Sequence, residues 1–497
     1  MTAIRHTTNI GLIEDLIGSG LLVQSAYVGG EWVRNRDGAV QNVYNPADGA
    51  LIGTVPNLSV PESSVAVDAA YEAFPAWAAT LPDERARKLC AWYELIIAER
   101  DDLALLMTLE QGKPIAESCG EIEYAASFID WYAGEAGRMG VEGITPHLQG
   151  RDMQVVREPL GVAALITPWN FPAAMITRKA AAAMAAGCTV VVKPAPETPF
   201  SATALAALAE KAGIPAGVFN VITGDAPKLA AMLCASPRIR ALSFTGSTRV
   251  GKLLQEQSVP TLKRVSLELG GHAPFIVFDD VNLNSAVADA VAAKFQTTGQ
   301  DCLAANRIYI HENIYKEFCT RYAKAVSELT VGNGLTPGVD IGPLMHEGAV
   351  AKCLQHIDDA TSKGACILTG GDRHDLGGLF FTPTVLADVT ENMYITTQET
   401  FGPVAALMSF AHEDEIIRRA NNTEFGLAAY VQTKDGSRAR RVATHLEFGM
   451  VAVNCVKMTG GPVPFGGRKQ SGQGREGGRF GIDAFTDLKY ICTRTSD

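Results

Sequence analysis

At 497 residues, with hydrophobic residues at 47% and charged residues at 20%, the chain carries too much apolar material for one compact core and reads as two or three globular domains. Its net charge of −11 excludes a phosphate backbone as a general partner, because nonspecific nucleic-acid binding needs a cationic face. Ten cysteines without pairing rhythm or a C-x-x-C, and nine histidines without ligand spacing, argue against a disulfide framework and a metal centre. The longest apolar runs, such as Gly161 to Ile166, are too short to span a bilayer. Glu14 and Asp15 interrupt the apolar pattern between Ile10 and Leu22, so no secretory leader is expected and the chain reads as cytoplasmic.

From the N-terminus, short extended pieces at Tyr27 to Val33 and Val43 to Pro46 alternate with Gly and Asn-Pro turns. Apolar residues at three and four spacing then predict helices over Ser64 to Ala78, Glu84 to Gln111 and Gly120 to Gly137. Asp152 to Arg157 reads as a strand without a local partner, and so does Leu488 to Cys492 near the C-terminus. Between Gly161 and Asn282 strand and helix alternate strictly. The strands are Val162 to Thr167, Thr189 to Lys193, Val218 to Ile222 and Ala241 to Phe244; the helices are Ala173 to Ala186, Ser201 to Ala212, Ala226 to Cys234 and Val250 to Gln257. Continuous apolar strands separated by helices predict a parallel α/β sheet covered on both faces, with ligands beyond the C-terminal strand ends. A second alternating run spans Ala273 to about Asn454. Within it, Cys302 falls between a helix over Ala286 to Gln296 and a strand over Arg307 to Ile310, on a connection where a thiolate is nucleophilic if neighbouring charges or helix-end amides lower its pKa.

Other chemistry-bearing residues gather at the predicted strand ends. After the first strand, Pro168-Trp169-Asn170-Phe171-Pro172 fixes an amide able to donate to an oxygen that gains negative charge. After the second comes Lys193-Pro194-Ala195-Pro196; after the fourth, Phe244-Thr245-Gly246-Ser247 opens a helix whose free amides suit phosphate oxygens. Glu268, in Leu267 to Gly271, is a carboxylate among apolar residues, where desolvation raises a pKa toward that of a useful base. Singly, each has an ordinary explanation: a helix cap, a turn, a paired core acid. Gly472 to Gly477 fits G-x-G-x-x-G, but no apolar strand enters it and no helical pattern leaves it, so it is set aside as a phosphate loop.

Taken together these residues are another matter. Pro168 to Asn170, Phe244 to Ser247, Glu268 to Gly271, Gly299 to Cys302, Glu399 to Pro403 and Pro464 to Gly467 occur in the order found in the aldehyde dehydrogenase superfamily, which the sequence resembles over nearly its whole length. The resemblance implies an α/β fold with a Rossmann-like NAD(P)-binding domain over 1–148 and 160–270, to which 457–484 returns. It also implies a catalytic domain over 271–456 and a small β oligomerisation element from 149–159 and 485–497, in a homodimer or homotetramer. It assigns Cys302 as nucleophile, Asn170 to the oxyanion and Glu268 as the base that releases the acid. It assigns Trp169, Lys193, Pro196, Gly246, Ser247, Glu399 and Phe401 to the cofactor. The presence of Glu268 disfavours the CoA-acylating branch, and the presence of all three catalytic residues disfavours a noncatalytic use of the scaffold.

Where NAD-preferring members place a glutamate that repels a 2′-phosphate, this chain has Pro196, so NADP acceptance is expected beside NAD. Within the superfamily, Pro172 to Lys179 and Ala273 to Asp280 are most similar to succinate-semialdehyde dehydrogenases, and Arg178 matches their carboxylate-binding arginine. Their second arginine is Gln296 here, and their serine corresponds to Thr459. Lys457 replaces an apolar residue, and Phe465 follows in the Pro-Phe-Gly-Gly loop. The resemblance therefore implies a small aldehyde with an anionic tail: succinate semialdehyde, or alternatively glutarate semialdehyde or a sulfonated or phosphonated aldehyde such as sulfolactaldehyde. Ala304 stands where the mammalian enzyme has a second cysteine, so no local disulfide switch is expected.

Overall fold

The computed structural model describes residues 9–495. Its first sheet has eight strands in the spatial order Gly472–Gln473, Arg264–Glu268, Ile239–Thr245, Val162–Ile166, Thr189–Lys193, Phe219–Val221, Ala26–Val28 and Glu31–Val33. The four inner pairings, from Arg264–Glu268 to Phe219–Val221, are parallel, and the two ends are closed by antiparallel pieces. Val162–Ile166, Thr189–Lys193 and Phe219–Val221 are buried at every position, which is why they lack alternation. Helix Ala174–Ala186 is also buried throughout. Its alanines are the strongest helix formers and let neighbouring backbones come close, and Gly187, at φ 96°, ends it.

The helical N-terminal region differs from the expectation in two places. Glu84 to Gln111 is not one helix: Pro82–Ala98 and Arg100–Gln111 meet at Glu99 (φ −97°, ψ 17°). Because the second helix resumes at once, spacing alone does not reveal the break. The helix expected from Ser64 starts at Val60, because Ser59 and Glu62 form a reciprocal capping box. Arg264–Glu268 is a strand that the sequence reading omitted, and Gly472–Gln473 pairs against its end.

The second sheet runs Cys366–Thr369, Thr384–Ala387, Val404–Phe410, Ala305–His311, Ala273–Val277, Ala428–Gln432 and Met450–Val453, parallel except for the first strand. The two strands without local partners pair with each other: Arg151–Pro159 lies antiparallel to Thr486–Arg494 along its full length, with Val141–Gly143 on the other side. Leu488, Tyr490 and Ile491 are exposed on this small sheet, Leu488 at 60%. No described helix is long and apolar enough to cross a membrane.

The register positions the site. Ile166 is level with Lys193 and with Phe244, and Thr245 with Glu268, so the carboxyl ends of four strands form one rim. The chain leaves this rim at Glu268 and enters the second sheet at Ala273, which is level with Ala305 just after Cys302. The C-terminal rim of one sheet therefore faces the N-terminal rim of the other.

Candidate active site

Helix Leu283–Phe295, capped by Asn282, delivers the chain to the gap between the sheets. A left-handed turn follows, with φ 49° at Thr297, 58° at Thr298 and 70° at Gly299, before the chain reaches Cys302. The Cys302 peptide lies on Gly271, where a β-carbon would sit 2.0 Å from the Cys302 carbonyl oxygen. Only glycine allows that approach. Cys302 is half-buried. Burial pushes its thiol well above the ordinary range, Asp301, Glu399 and Glu268 add to the rise, and Arg178 opposes it. The condition for a lowered pKa, nearby cations or helix-end amides, is not met, because burial and three acids outweigh the one cation, Arg178. Burial thus favours the thiol over the thiolate at this position.

Asn170 reaches the same loop. Its Nδ2 donates to the Gln300 carbonyl at 2.9 Å, and its own carbonyl accepts from Lys113 Nζ at 2.7 Å. The second amide hydrogen of Asn170 is uncommitted in these bonds, and the Cys302 amide donates to no backbone group among the described residues. Asn170 does not cap the following helix; Glu121 does, accepting from the Ala173 and Ala174 amides at 3.0 and 3.2 Å while ion-paired to Lys113 at 2.6 Å.

Glu268 is buried, and neither carboxylate oxygen has a hydrogen-bond partner. Its Oε1 faces Gly466, where a β-carbon would come within 2.9 Å. Burial pushes this carboxyl well above the carboxylate range and the Glu476 charge adds to it, while Arg178 and Lys179 pull it down. Glu476 accepts from Arg178 Nε at 2.5 Å, from Ser243 at 3.2 Å and from Lys179. Although burial raises it, the Lys179 and Arg178 charges hold it below the carboxylate range. Lys179 also donates to Thr245 Oγ1 at 2.7 Å. Two buried acids in this pocket are therefore pushed in opposite directions.

Arg178 is 1% exposed, with its guanidinium 4.0 Å from the Phe465 ring centroid and 5.8 Å from that of Phe128. It is ion-paired with Glu476, yet its Nη1 has no partner. Tyr124, edge-on to Phe128, places its hydroxyl near Thr459 and Arg178, whose polar groups oppose the rise that burial gives it. Thr459 is half-buried, whereas Gln296 and Lys457 are exposed and lie apart from the guanidinium's ion pair.

Lys193 is buried at its strand end, and burial lowers its ammonium to about 8 against the opposing charges of Glu197 and Asp225. Pro196 and Glu197 line a cleft of about 680 Å³ next to it, together with Asn45, Asp48 and Met345. Ser247 caps helix Thr248–Ser258 by accepting from Val250, and Gly246 leaves no room for a side chain because Phe244's ring would lie 2.4 Å from a β-carbon. Glu399 accepts from the Gly271 amide at 2.8 Å and is pushed up to about 7 by burial. Phe401 is left-handed (φ 55°) and stands edge-on to Trp169 at 5.6 Å.

Residues 32–491 match the model of the aldehyde dehydrogenase family. The chain belongs to the aldehyde dehydrogenase family. It is 56% identical over 472 residues to an aspartate-semialdehyde dehydrogenase (non-phosphorylating) of Halomonas elongata, covering 95% of this chain and 96% of the relative. It is 52% identical to the succinate-semialdehyde dehydrogenase (NADP+) GabD of Escherichia coli strain K12, covering 95% and 98%. A crystal structure of an aldehyde dehydrogenase from Brucella melitensis biovar abortus 2308 superposes with a TM-score of 0.95 at 52% identity, covering 96% of this chain and 99% of that one.

In this aldehyde dehydrogenase, Cys302, Asn170 and Glu268 converge on one gap from three separate stretches of chain. Arg178 and Phe465 lie together beside Tyr124 and Thr459, and Glu399 holds the Gly271 amide under Cys302. Sequence reasoning missed Glu476, Lys179, Lys113, Glu121 and Tyr124. One signal for Glu476 was available: two adjacent cations, Arg178 and Lys179, inside an alanine-rich helix require a buried anion. It stood in the stretch set aside as a phosphate loop, which carries the needed acid inward.

Proposed function

We propose that this enzyme oxidises a short aldehyde bearing an anionic tail, succinate semialdehyde foremost, to the carboxylic acid with NADP or NAD as oxidant. The observation that carries the tail is the unshared Nη1 of the buried Arg178, beside the hydroxyls of Tyr124 and Thr459. A buried donor left unpaired costs about 1–3 kcal/mol, and a substrate carboxylate supplies the acceptor. Exposed Lys457 and Gln296 favour, as the second reading, a longer or differently shaped anion such as glutarate semialdehyde or a sulfonated aldehyde.

The chain's residues fit a dinucleotide. Lys193 is a buried cation with no ion pair among the described residues, Gly246 clears the start of a helix, and Pro196 puts no carboxylate where a 2′-phosphate would be repelled. When bound, the nicotinamide supplies the hydride acceptor. The remaining work falls to side chains. Cys302, once deprotonated, forms a bond to the aldehyde carbon, and the oxygen's developing charge is met by the free amide hydrogen of Asn170 and the Cys302 amide. The oxidised acyl group rests on sulfur as a thioester. Glu268, raised by burial and without partners, takes a proton from water, whose oxygen adds to the acyl carbon and expels the Cys302 thiolate. The small sheet of 151–159 and 486–494 is proposed as the surface that joins subunits.

The test is a cofactor-reduction screen over succinate, glutarate, aspartate and sulfonated aldehydes and a neutral aldehyde of equal length, with NAD and NADP. The expected result is a kcat/KM favouring an anionic tail and turnover with NADP in the absence of CoA. Equal kcat/KM for the neutral and anionic aldehydes rejects the tail reading, and a CoA requirement rejects the hydrolytic one.

A further inference from the structure

Among the acids that the proposed chemistry leaves unused, the half-buried Glu117 bonds directly to the turn that leads into the nucleophile's loop. It sits in the first turn of helix Ile115–Glu135. Its carboxylate accepts from the Thr297 amide at 2.9 and 3.2 Å and from the Thr297 hydroxyl at 3.3 Å. Among the described residues it forms no ion pair; Lys113 and Asp301 are the charged groups that act on it, with opposite signs.

The turn it holds is strained. Thr297 and Thr298 are β-branched yet left-handed, a backbone region in which their side chains crowd the chain, and such a conformation persists only where several contacts enforce it. The other contacts are visible: Thr298 donates to the Gly342 carbonyl at 3.1 Å, the Gln300 amide and side chain donate to the Thr297 carbonyl at 3.0 and 3.3 Å, and the Met345 amide donates to Gln300 Oε1 at 2.9 Å. Downstream of the turn lie the Gln300 carbonyl that receives Asn170, and then Cys302. Lys113, Glu117 and Glu121 recur every four residues, so one stretch of chain reaches the Asn170 carbonyl, the Thr297 turn and the start of the Arg178 helix together.

We propose that Glu117 is a positioning residue for the reaction: by clamping the left-handed turn it fixes where Cys302 lies against Asn170 and how Gln296 is presented at the mouth of the site. This rests on Cys302 being the nucleophile. Without the clamp the Thr297 amide loses its acceptor, the turn relaxes toward right-handed backbone, and the Gln300 to Cys302 segment moves off Asn170. Misplacement on the scale of an ångström costs up to about 100-fold in rate.

The test compares Glu117→Ala, Glu117→Asp and Glu117→Gln, each checked for a native thermal transition. Ala removes the acceptor, and Asp keeps the charge but falls a methylene short of Thr297. Both are expected to lower kcat by about 10- to 100-fold and to change the rate at which iodoacetamide alkylates Cys302. Gln keeps an acceptor oxygen at the right reach and retains most of the wild-type kcat. Thr297→Gly, added to Glu117→Ala, restores part of the loss because glycine holds φ 49° without strain. The clamp is overturned if Ala or Asp matches wild type in kcat and alkylation, if Gln falls as far as Ala, or if Thr297→Gly recovers nothing. A fully active Cys302→Ser enzyme sinks the nucleophile reading itself; an inactive Cys302→Ser enzyme beside an unaffected Glu117→Ala sinks the clamp alone.

Discussion

Glu268 and Glu476 are chemically the same side chain, and only their surroundings give them different charges. Burial and the Glu476 charge raise Glu268, whereas two cations hold Glu476 ionised. Replacing Glu476 by Gln removes the repelling charge and leaves Arg178 and Lys179 acting on Glu268 unopposed. The Glu268 pKa then falls. Since the proposed base works deprotonated, the acidic limb of the kcat profile is expected to move to lower pH, which a pH–rate series checks. The same change strands two buried cations, so a loss of about 3–5 kcal/mol in unfolding free energy is expected in a denaturant titration. Tyr124 answers a different question at the same scale. Its hydroxyl lies against Arg178 and Thr459, and a hydrogen bond to a charged group is worth about 1.5–3 kcal/mol. Tyr124→Phe is expected to raise KM for an anionic semialdehyde by roughly tenfold or more while leaving kcat and the KM of a neutral aldehyde unchanged, as steady-state kinetics with both substrates will read.

At the level of elements, close backbone approach decides whether the site exists. A methyl group on Gly271 meets the Cys302 carbonyl, part of the peptide it would have to displace, and no flexible side chain can yield instead. Gly271→Ala is expected to keep its circular dichroism spectrum and lose about 100-fold in kcat. The strands leading to this junction were legible beforehand: continuous apolar runs such as Thr189–Lys193 fall where they were expected, since a strand covered on both faces has no polar position to spare. Cys302 and Asn170 stood out beforehand because each lies just past a helix or strand end, and Glu268 because it is a carboxylate among apolar residues. What could not be read were contacts set by tertiary closure. Spacing does not reveal that Glu99 breaks a helix, that Thr297 and Thr298 turn left-handed, or that Arg264–Glu268 gains an edge partner from Gly472–Gln473. Nor does it show that burial and nearby acids raise the Cys302 thiol.

For the whole molecule, the small sheet of Val141–Gly143, Arg151–Pro159 and Thr486–Arg494 stands apart from the two large ones and shows water Leu488, Tyr490 and Ile491. Apolar side chains along a strand are a poor surface for a lone subunit. Leu488→Glu with Tyr490→Glu is expected to shift the enzyme to smaller species in size-exclusion chromatography, with the Cys302 gap left chemically intact. The large sheets interlock differently, since Glu476 arrives from near the C-terminus to neutralise Arg178, 298 positions earlier. During synthesis the alanine helix carrying Arg178 and Lys179 therefore emerges from the ribosome long before its counter-ion does. Until Glu476 joins them, the two cations lack their counter-ion and Glu268 lacks the neighbouring charge that adds to its rise. The tuned pair of acids is therefore a product of closure over 298 positions of sequence, not of any one local segment.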